Sequence, residues 1–178
     1  WHMIILSKPV NMGIRPSVFI KIYNMKIAVF PGSFDPFTNA HQDLVDRALT
    51  LFDKIYIAIG VNSAKKGMLD FEQRKQAIEA LYHMQDNVVV ETFTGLTVDY
   101  CHSVAAQFIL RGLRNSKDLE FESAIAQNNL ILAPSIETYF LMCRSGNGHI
   151  SSSIVRDILA NGGPVDALVP MEILKFIK

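Results

Sequence analysis

The stretch IAVFPGSFDPFTNAH, residues 27–41, decides the fold of this chain. Its apolar start predicts a buried strand over residues 27–30 that Pro31 and Gly32 end. A polar turn follows, and the apolar spacing after it predicts a helix that begins near Asn39. A turn that leads from a buried strand into a helix N-terminus favours an anion, because backbone N–H groups and the helix dipole both attract negative charge.

His41 lies in the first turn of that predicted helix. Ordinary turn chemistry explains Pro31, Gly32 and Pro36 without any function. It does not explain a histidine at a helix N-terminus, where a cation is disfavoured unless an anion is present. We therefore interpret His41 as a phosphate-contacting residue rather than a structural histidine.

Strand-like and helix-like patterns alternate along the rest of the chain. The first helix is predicted to continue to about Phe52. The other predicted strands are 55–61, 88–93, 108–110 and 138–142. The other predicted helices are 71–83 after an Asp70 cap, 97–107, a long helix opened by Ser116 or Asp118 and ending near Leu132, one from Ser151 to about Asn161, and a last short one started by Pro170. This alternation predicts one doubly wound, Rossmann-like α/β domain with a five-stranded parallel sheet in the order 3-2-1-4-5.

In that order a ligand crevice opens where strands 1 and 4 separate, and polar segments do follow strands 1, 4 and 5. After strand 4 come Arg111 and Arg114, on either side of Gly112 and Leu113. An Arg111 so close to the core needs an anionic partner, which could be a ligand or a salt bridge to an acid such as Glu120 or Glu122.

After strand 5 comes the segment Ser145 to Ser153. Three serines at a helix start, Ser151, Ser152 and Ser153, predict a second anion site, since helix capping alone needs only one of them. His149 in the same segment could be a ligand contact or a structural residue. Lys65, in the loop after strand 2, is interpreted as a binding residue because it lies next to the predicted crevice.

Composition excludes several classes of protein. The chain has 178 residues and 49% apolar residues, which is typical of one folded domain and not of a disordered protein. Its 17 basic and 17 acidic residues balance to a net charge of +0, which argues against a broad nucleic-acid-binding face. No apolar stretch reaches the length of about 20 residues that spans a bilayer. Cys101 and Cys143 lack metal or redox spacing and predict reduced thiols in a cytoplasmic protein.

Residues 1–24 differ from the rest, because they contain three basic residues and no acidic one. We interpret them as a flexible extension, or as sequence that precedes a natural start at Met25, with a Trp1-His2-Met3 cloning remnant. Residues 25–178 are then one domain.

Taken together, the segments Pro31 to His41, Lys65-Lys66, Arg111 to Glu122 and Ile150 to Ser153 resemble the nucleotidyltransferase superfamily. Within it they are similar to the bacterial phosphopantetheine adenylyltransferase family. The resemblance runs from Met25 to the C-terminus. It implies transfer of the adenylyl group of ATP to 4′-phosphopantetheine in coenzyme A biosynthesis, Mg²⁺ held mainly by ATP phosphates, a homohexamer, and neither nucleic acid nor a membrane as partner.

The resemblance also implies roles for individual residues. His41 would bind ATP phosphate and stabilise the transition state, and Ser33 would contact both substrates. Lys65 and Arg111 would bind the phosphate of phosphopantetheine, and Thr97 would line its arm. The remaining ATP-binding residues would be Phe34, Gly112, Leu113, Arg114, Glu122, Asn147, Gly148, His149, Ile150, Ser151, Ser152 and Ser153.

One residue departs from the family pattern, which has glycine where this chain has Ala40. A methyl group there is expected to shift the triphosphate slightly rather than abolish activity. The alternatives are a related nucleotidyltransferase with another phosphorylated acceptor, such as nicotinate mononucleotide, or one with a cytidylyl donor. A nucleotide-binding module without turnover is a third alternative.

Overall fold

The computed structural model describes residues 25–61 and 67–177. Its strands are β1 (Ile27–Gly32), β2 (Lys54–Gly60), β3 (Val88–Phe93), β4 (Phe108–Leu113) and β5 (Glu137–Met142). Its helices are α1 (Asn39–Ala48), α2 (Phe71–Tyr82), α3 (Thr97–Ser103), α4 (Ser116–Leu132), α5 (Ser152–Ala160) and α6 (Met171–Ile177). All strands pair in parallel in the order β3-β2-β1-β4-β5, which confirms the predicted sheet.

The sheet is covered on both faces. On one face α1, α2, α5 and α6 bury residues such as Leu44, Ile78 and Val155 against the strands. On the other face α3 buries Val98 and Cys101. Burial on both faces matches the apolar runs of the central strands, which is the pattern of a parallel sheet. None of the helices in the described residues is long and apolar enough to cross a membrane.

The strand β1 is longer than predicted, since it continues through Pro31 to Gly32 instead of ending at Phe30. Its ladder with β2 runs on to Gly32 opposite Ile59, but its ladder with β4 pairs only Ala28 and Val29. Pro31 is therefore tolerated because β4 has already separated from β1 at that point. This separation opens the crevice between β1 and β4.

The strand β4 is also longer than predicted, and this corrects the position of Arg111. The strand runs to Leu113 because β5 pairs with it along its whole length, with Arg111 opposite Phe140 and Leu113 opposite Met142. Arg111 and Gly112 are therefore strand residues, and only Arg114 follows the strand.

The helix α3 ends at Ser103, four residues before the predicted Gln107. Ala105 has φ 55, and the N–H groups of Ala105 and Ala106 donate to the carbonyls of His102 and Cys101. This is the Schellman arrangement, in which glycine usually takes the left-handed position. Alanine in that position left no stop signal in the sequence.

The other boundaries differ little from the predictions. The helix α1 ends at Ala48 rather than near Phe52, and Asn115, not Ser116 or Asp118, caps α4 by accepting the N–H of Asp118. The predicted caps Asp70 and Ser151 are confirmed. The predictions for residues 1–24 and for Lys65 lie outside the described residues.

Candidate active site

Two cavities lie side by side in the crevice at the carboxyl ends of β1 and β4. The first, about 340 Å³, is lined by the turn after β1, the start of α1, the end of β4 and the start of α5. The second, about 280 Å³, reaches towards α3 and α4. Both cavities are lined by Pro31, Gly32, Ser33, Arg111 and Glu122, so these residues form a common wall.

The structure brings most of the predicted site residues to these cavities. The first is lined by Ser33, Phe34, His41, Arg111, Gly112, Arg114, Glu122, Ile150, Ser151, Ser152 and Ser153, and also by Ala40. The second is lined by Ser33, Thr97, Arg111 and Glu122. Of the predicted residues that the structure describes, Leu113, Asn147, Gly148 and His149 line neither cavity. Leu113 is buried in β4, and the other three lie in the turn before α5.

The imidazole of His41 is oriented by the residue that caps its own helix. The backbone N–H of Thr38 donates to Nδ1 of His41 at 3.0 Å, and the Thr38 hydroxyl oxygen lies 3.0 Å from the same atom. A nitrogen that accepts a backbone N–H carries no proton, so the proton of the neutral ring is on Nε2. The rings of Phe34 and Phe37 lie with their centroids 5.2 Å from the imidazole.

The pKa of His41 is lowered to about 4, mainly by burial and to a smaller extent by the nearby charges of Arg114 and Arg111. Histidine is therefore neutral at physiological pH in this site. The resulting group is a fixed, uncharged Nε2–H donor next to two guanidinium groups. It can donate a hydrogen bond to an anion in the first cavity.

Arg111 crosses the opening between β1 and β4. Its Nη1 donates to the carbonyl of Pro31 at 2.7 Å, its Nε donates to Oε2 of Glu122 at 2.7 Å, and its Nη2 donates to Oε1 of Glu122. The salt bridge to Glu122 is thus one of the alternatives left open by the sequence. A guanidinium has five N–H donors, so this bidentate pair still leaves donors for a ligand.

Arg114 pairs with Asp118 one helical turn away, with Nε 2.8 Å and Nη2 3.0 Å from the carboxylate oxygens. This pair lowers the pKa of Asp118 and raises that of Arg114. Both groups line the first cavity. They are therefore charged at neutral pH, with the guanidinium held at the cavity wall.

The start of α5 closes the first cavity. Ser151 caps the helix, with its Oγ accepting the N–H of Ile154 at 3.3 Å, and the Ser152 hydroxyl donates to the carbonyl of Pro36 at 2.8 Å. The Ser153 hydroxyl oxygen accepts from Nη2 of Arg156 at 3.3 Å, so all three serines have structural partners. The remaining N–H groups of this first turn still present a positive helix end to the cavity.

Sequence reasoning did not single out Arg156, which lines the first cavity and donates from Nη1 to the carbonyl of Asp35 at 2.5 Å. Its position one turn after Ser152 on the same helix was the available signal. It also did not single out the buried pair of Asp35 and Arg74, whose Oδ1 and Nε lie 3.4 Å apart. Their partners are distant in sequence, so no local pattern marks them.

The lining of the first cavity is therefore cationic, with three arginines, Arg111, Arg114 and Arg156, against two carboxylates, Asp118 and Glu122. It adds the Nε2–H of His41 and the N-terminal ends of α1 and α5. Such a surface can bind a polyanion and stabilise negative charge that develops on it. No group of three or more histidine, cysteine, aspartate or glutamate side chains in the described part of the chain could hold a metal ion.

Comparisons with known proteins identify the family. The cytidylyltransferase-like family model matches residues 29–158. A phosphopantetheine adenylyltransferase from Christiangramia forsetii is 53% identical over 146 residues, which covers 82% of this chain and 96% of that protein. One from Flavobacterium psychrophilum is 51% identical with the same coverage.

Among solved structures, one from Vibrio parahaemolyticus described as a nicotinate-nucleotide adenylyltransferase has a TM-score of 0.64 at 18% identity, and covers 86% of this chain and 99% of its own. That likeness concerns the fold alone. The chain belongs to the phosphopantetheine adenylyltransferase family of the cytidylyltransferase-like nucleotidyltransferases.

Proposed function

We propose that this enzyme transfers the adenylyl group of ATP to 4′-phosphopantetheine and produces 3′-dephospho-coenzyme A and pyrophosphate. The observation that carries the proposal is the pair of cavities that share a wall at Ser33 and Arg111. Two anionic substrates, one in each cavity, would have their reacting groups next to each other at Ser33 and Arg111. The names of the relatives supply the identity of the acceptor.

ATP would occupy the first cavity. Its phosphates would lie between the N-terminal ends of α1 and α5, where Arg114, Arg156 and the Nε2–H of His41 can donate to them. Gly112 and Phe34 line the same space. Ala40 lies in the first turn of α1 and lines the same cavity.

Phosphopantetheine would occupy the second cavity, with its phosphate at Arg111 and its arm along Thr97. The bidentate pair with Glu122 fixes the guanidinium plane, so the remaining N–H donors are pre-oriented. Lys65 is proposed as a further phosphate ligand on the family resemblance alone.

The reaction would need no protein base. A phosphate monoester has a second pKa of about 6, so the acceptor phosphate is largely dianionic at neutral pH. One of its oxygens would attack the α-phosphorus of ATP as the bond to the β-phosphate oxygen breaks, and pyrophosphate would leave with the electron pair. The protein would supply positioning and charge stabilisation, with the His41 Nε2–H donating to the α-phosphate.

Mg²⁺ fits this site as a partner of ATP rather than of the protein. The residues that line the first cavity supply hydrogen-bond donors, and the described residues contain no cluster of three or more metal-ligating side chains. The ion would therefore be held mainly by ATP phosphates and water. It would supply charge neutralisation on the triphosphate. This chain's own residues would orient the phosphates around it.

We further propose a cytoplasmic homohexamer. The support on this chain is α4, which leaves large apolar side chains exposed along its length: Leu119, Phe121, Ile125, Leu130, Ile131 and Leu132. An apolar surface of this kind marks an interaction site, and a second copy of the chain is its proposed occupant.

A pyrophosphate-release assay tests the function. With ATP and Mg²⁺ we expect turnover with 4′-phosphopantetheine and none with nicotinate mononucleotide. Turnover with nicotinate mononucleotide alone would support the related nucleotidyltransferase. ATP binding without release of pyrophosphate with any acceptor would support a non-catalytic module.

The variant Arg111→Ala should weaken phosphopantetheine binding more than ATP binding, which separate titrations of the two substrates would measure.

A further inference from the structure

The turn between the two cavities contains a residue in a rare backbone conformation. Phe34 has φ 46, in the left-handed region that residues with a side chain seldom adopt. Its ring lies over Gly32, where an added Cβ would come within 2.7 Å of the ring. The same ring meets the His41 imidazole edge-on at a centroid distance of 5.2 Å. A non-glycine residue keeps such a conformation only when its surroundings impose it.

Two arginines hold the carbonyl groups on either side of Phe34. Arg74, from α2, donates from Nη1 to the carbonyl of Ser33 at 3.0 Å. Arg156, from α5, donates to the carbonyl of Asp35 at 2.5 Å. The carbonyl groups of the residues before and after Phe34 are therefore bound from two different helices.

Arg74 differs from Arg156 because it is buried, with 5% of its surface exposed, and lines neither cavity. Its Nε and Nη2 donate to the carbonyl of Leu69 at 3.0 Å and 2.6 Å, and its Nε lies 3.4 Å from Asp35 Oδ1. The Asp35 carboxylate also accepts the N–H groups of Met68 and Leu69, both at 2.9 Å. One guanidinium thus links the start of α2 to the turn after β1.

This arrangement uses the shape of arginine and not only its charge. A buried charge is tolerated only with its partners in place, and here the planar fork reaches two carbonyls and a carboxylate together. A lysine could stay beside Asp35, but its single ammonium group cannot reach the same three acceptors in that geometry.

We propose that Arg74 is a positioning residue of this enzyme, which fixes the left-handed turn at Phe34 and, through the Phe34 ring, the imidazole of His41. The inference rests on the adenylyl transfer proposed above. It assigns a role in the reaction to a side chain that touches neither substrate.

The test compares Arg74→Lys with Ile78→Ala. Ile78 is fully buried on the same helix and lines neither cavity, so its variant reports the effect of a destabilised α2 alone. All variants are assayed well below their melting temperatures. We expect Arg74→Lys to keep a Tm nearer to wild type than Ile78→Ala, but to lower kcat by about tenfold to a hundredfold, the scale of a reacting group displaced by about 1 Å. KM for phosphopantetheine should change much less than kcat.

A second variant, Arg74→Gln, removes the charge and should lower kcat at least as much, with a lower Tm. Wild-type kcat in Arg74→Lys would overturn the inference. So would a loss of kcat in Ile78→Ala equal to that in Arg74→Lys when each variant is assayed the same number of degrees below its own Tm.

The inference can fail separately from the proposed function. If the wild-type enzyme releases no pyrophosphate with phosphopantetheine, the function is wrong, but calorimetric titration with ATP alone still tests the turn. Because Ser33 and Phe34 line the first cavity, Arg74→Lys should then weaken ATP binding by about threefold to tenfold, a loss of up to about 1.4 kcal/mol, relative to Ile78→Ala. Equal ATP affinity in the two variants would overturn the positioning role.

Discussion

At the scale of single residues, the chemistry that we propose for this site depends on His41 being neutral. Its ring lies beside two guanidinium groups at the positive end of a helix, and the pKa is lowered to about 4. Because Thr38 donates to Nδ1, rotation of the ring would break a hydrogen bond. The Nε2–H is therefore a donor with a fixed direction, which needs no reorganisation when charge develops on a phosphate.

Removal of this donor should slow the reaction more than it weakens binding. We expect His41→Ala to lower kcat by about 10²–10³, the usual scale for one donor to a developing oxyanion. The Kd of ATP should rise much less, because Arg114, Arg156 and two helix N-termini would still bind the triphosphate. Single-turnover rates and calorimetric titration would measure the two effects. His83→Ala, at an exposed histidine on the far end of α2, is the matched control, and a His41→Ala kcat near that control would exclude the proposed role.

The same histidine should make stability depend on pH. In the unfolded chain its pKa is near 6.5, whereas in the folded chain it is about 4. Between these values the unfolded state binds more protons, so the free energy of unfolding falls as pH decreases from 6.5 to 4. Above pH 6.5, His41 makes no contribution to the pH dependence of this free energy. The difference corresponds to about 3 kcal/mol at most, and the opening of the ring towards the cavity makes this an upper bound.

Urea unfolding of wild type and His41→Asn between pH 4.5 and 7.5 would measure this term. The asparagine variant removes the titrating ring, so the difference in unfolding free energy between the two proteins should change in that window and stay constant above it. Parallel curves across the whole range would contradict the lowered pKa.

Local sequence could not decide how the two crevice arginines pair. The partners of Arg111 and Arg114 come from α4, and both pairs form only when that helix packs beside β4. The sequence named Glu122 as one candidate partner of Arg111, but it could not distinguish a salt bridge from a ligand contact. In the structure the guanidinium has donors for both, so the two interpretations are compatible.

At the scale of elements, the strand β4 and the helix α1 touch at Gly112. A Cβ on Gly112 would lie 2.3 Å from Cδ1 of Leu44, which is 3% exposed and cannot move away freely. Gly112→Ala should therefore push α1 away from the sheet and destabilise the protein by about 1–3 kcal/mol. Since α1 carries His41 at its start, kcat should fall as well. Chemical denaturation and steady-state kinetics would measure the two effects.

Two further variants separate this contact from a general effect of alanine in a strand. Gly60→Ala, in β2, would place its Cβ no closer than 3.6 Å to any neighbour, so its loss of stability should be smaller. Leu44→Ala combined with Gly112→Ala should show a favourable coupling energy, because the shorter side chain makes room for the new methyl group. Additive effects of the two substitutions would exclude the clash.

The elements also show which parts of the fold the sequence predicts. Helix α2 carried its own capping box in Asp70 and Gln73, and its start was predicted correctly. The end of α3 was missed because Ala105 takes the left-handed position that glycine usually marks. The strand β1 was predicted too short because Pro31 normally ends a strand, whereas here the neighbouring strand has already separated. Such exceptions depend on neighbours in space, which the local pattern does not contain.

At the scale of the whole molecule, the net charge is balanced but the charged groups are distributed unevenly. The chain has a net charge of +0, yet three arginines and two helix N-termini converge on one cavity. The parallel topology produces this convergence, because it brings the carboxyl ends of β1, β4 and β5 to one edge of the sheet. Three segments far apart in sequence therefore could be predicted to meet, although their exact partners could not.

The exposed face of α4 leads to a prediction about assembly. Phe121 is 68% and Ile131 77% exposed, and of the residues in this helix only Glu122 is buried. If a second copy covers this face, the double variant Phe121→Asp/Ile131→Asp should dissociate the oligomer, because each carboxylate would lose its hydration in the interface. Sedimentation equilibrium should give about six times the 19.9 kDa chain mass for wild type and a smaller mass for the variant. Met84→Asp, at a residue that is 81% exposed beyond the end of α2, is the control and should keep the wild-type mass. A double variant with unchanged mass would show that α4 lies outside the subunit contacts, and a wild-type protein that sediments as a monomer at micromolar concentration would exclude the hexamer itself.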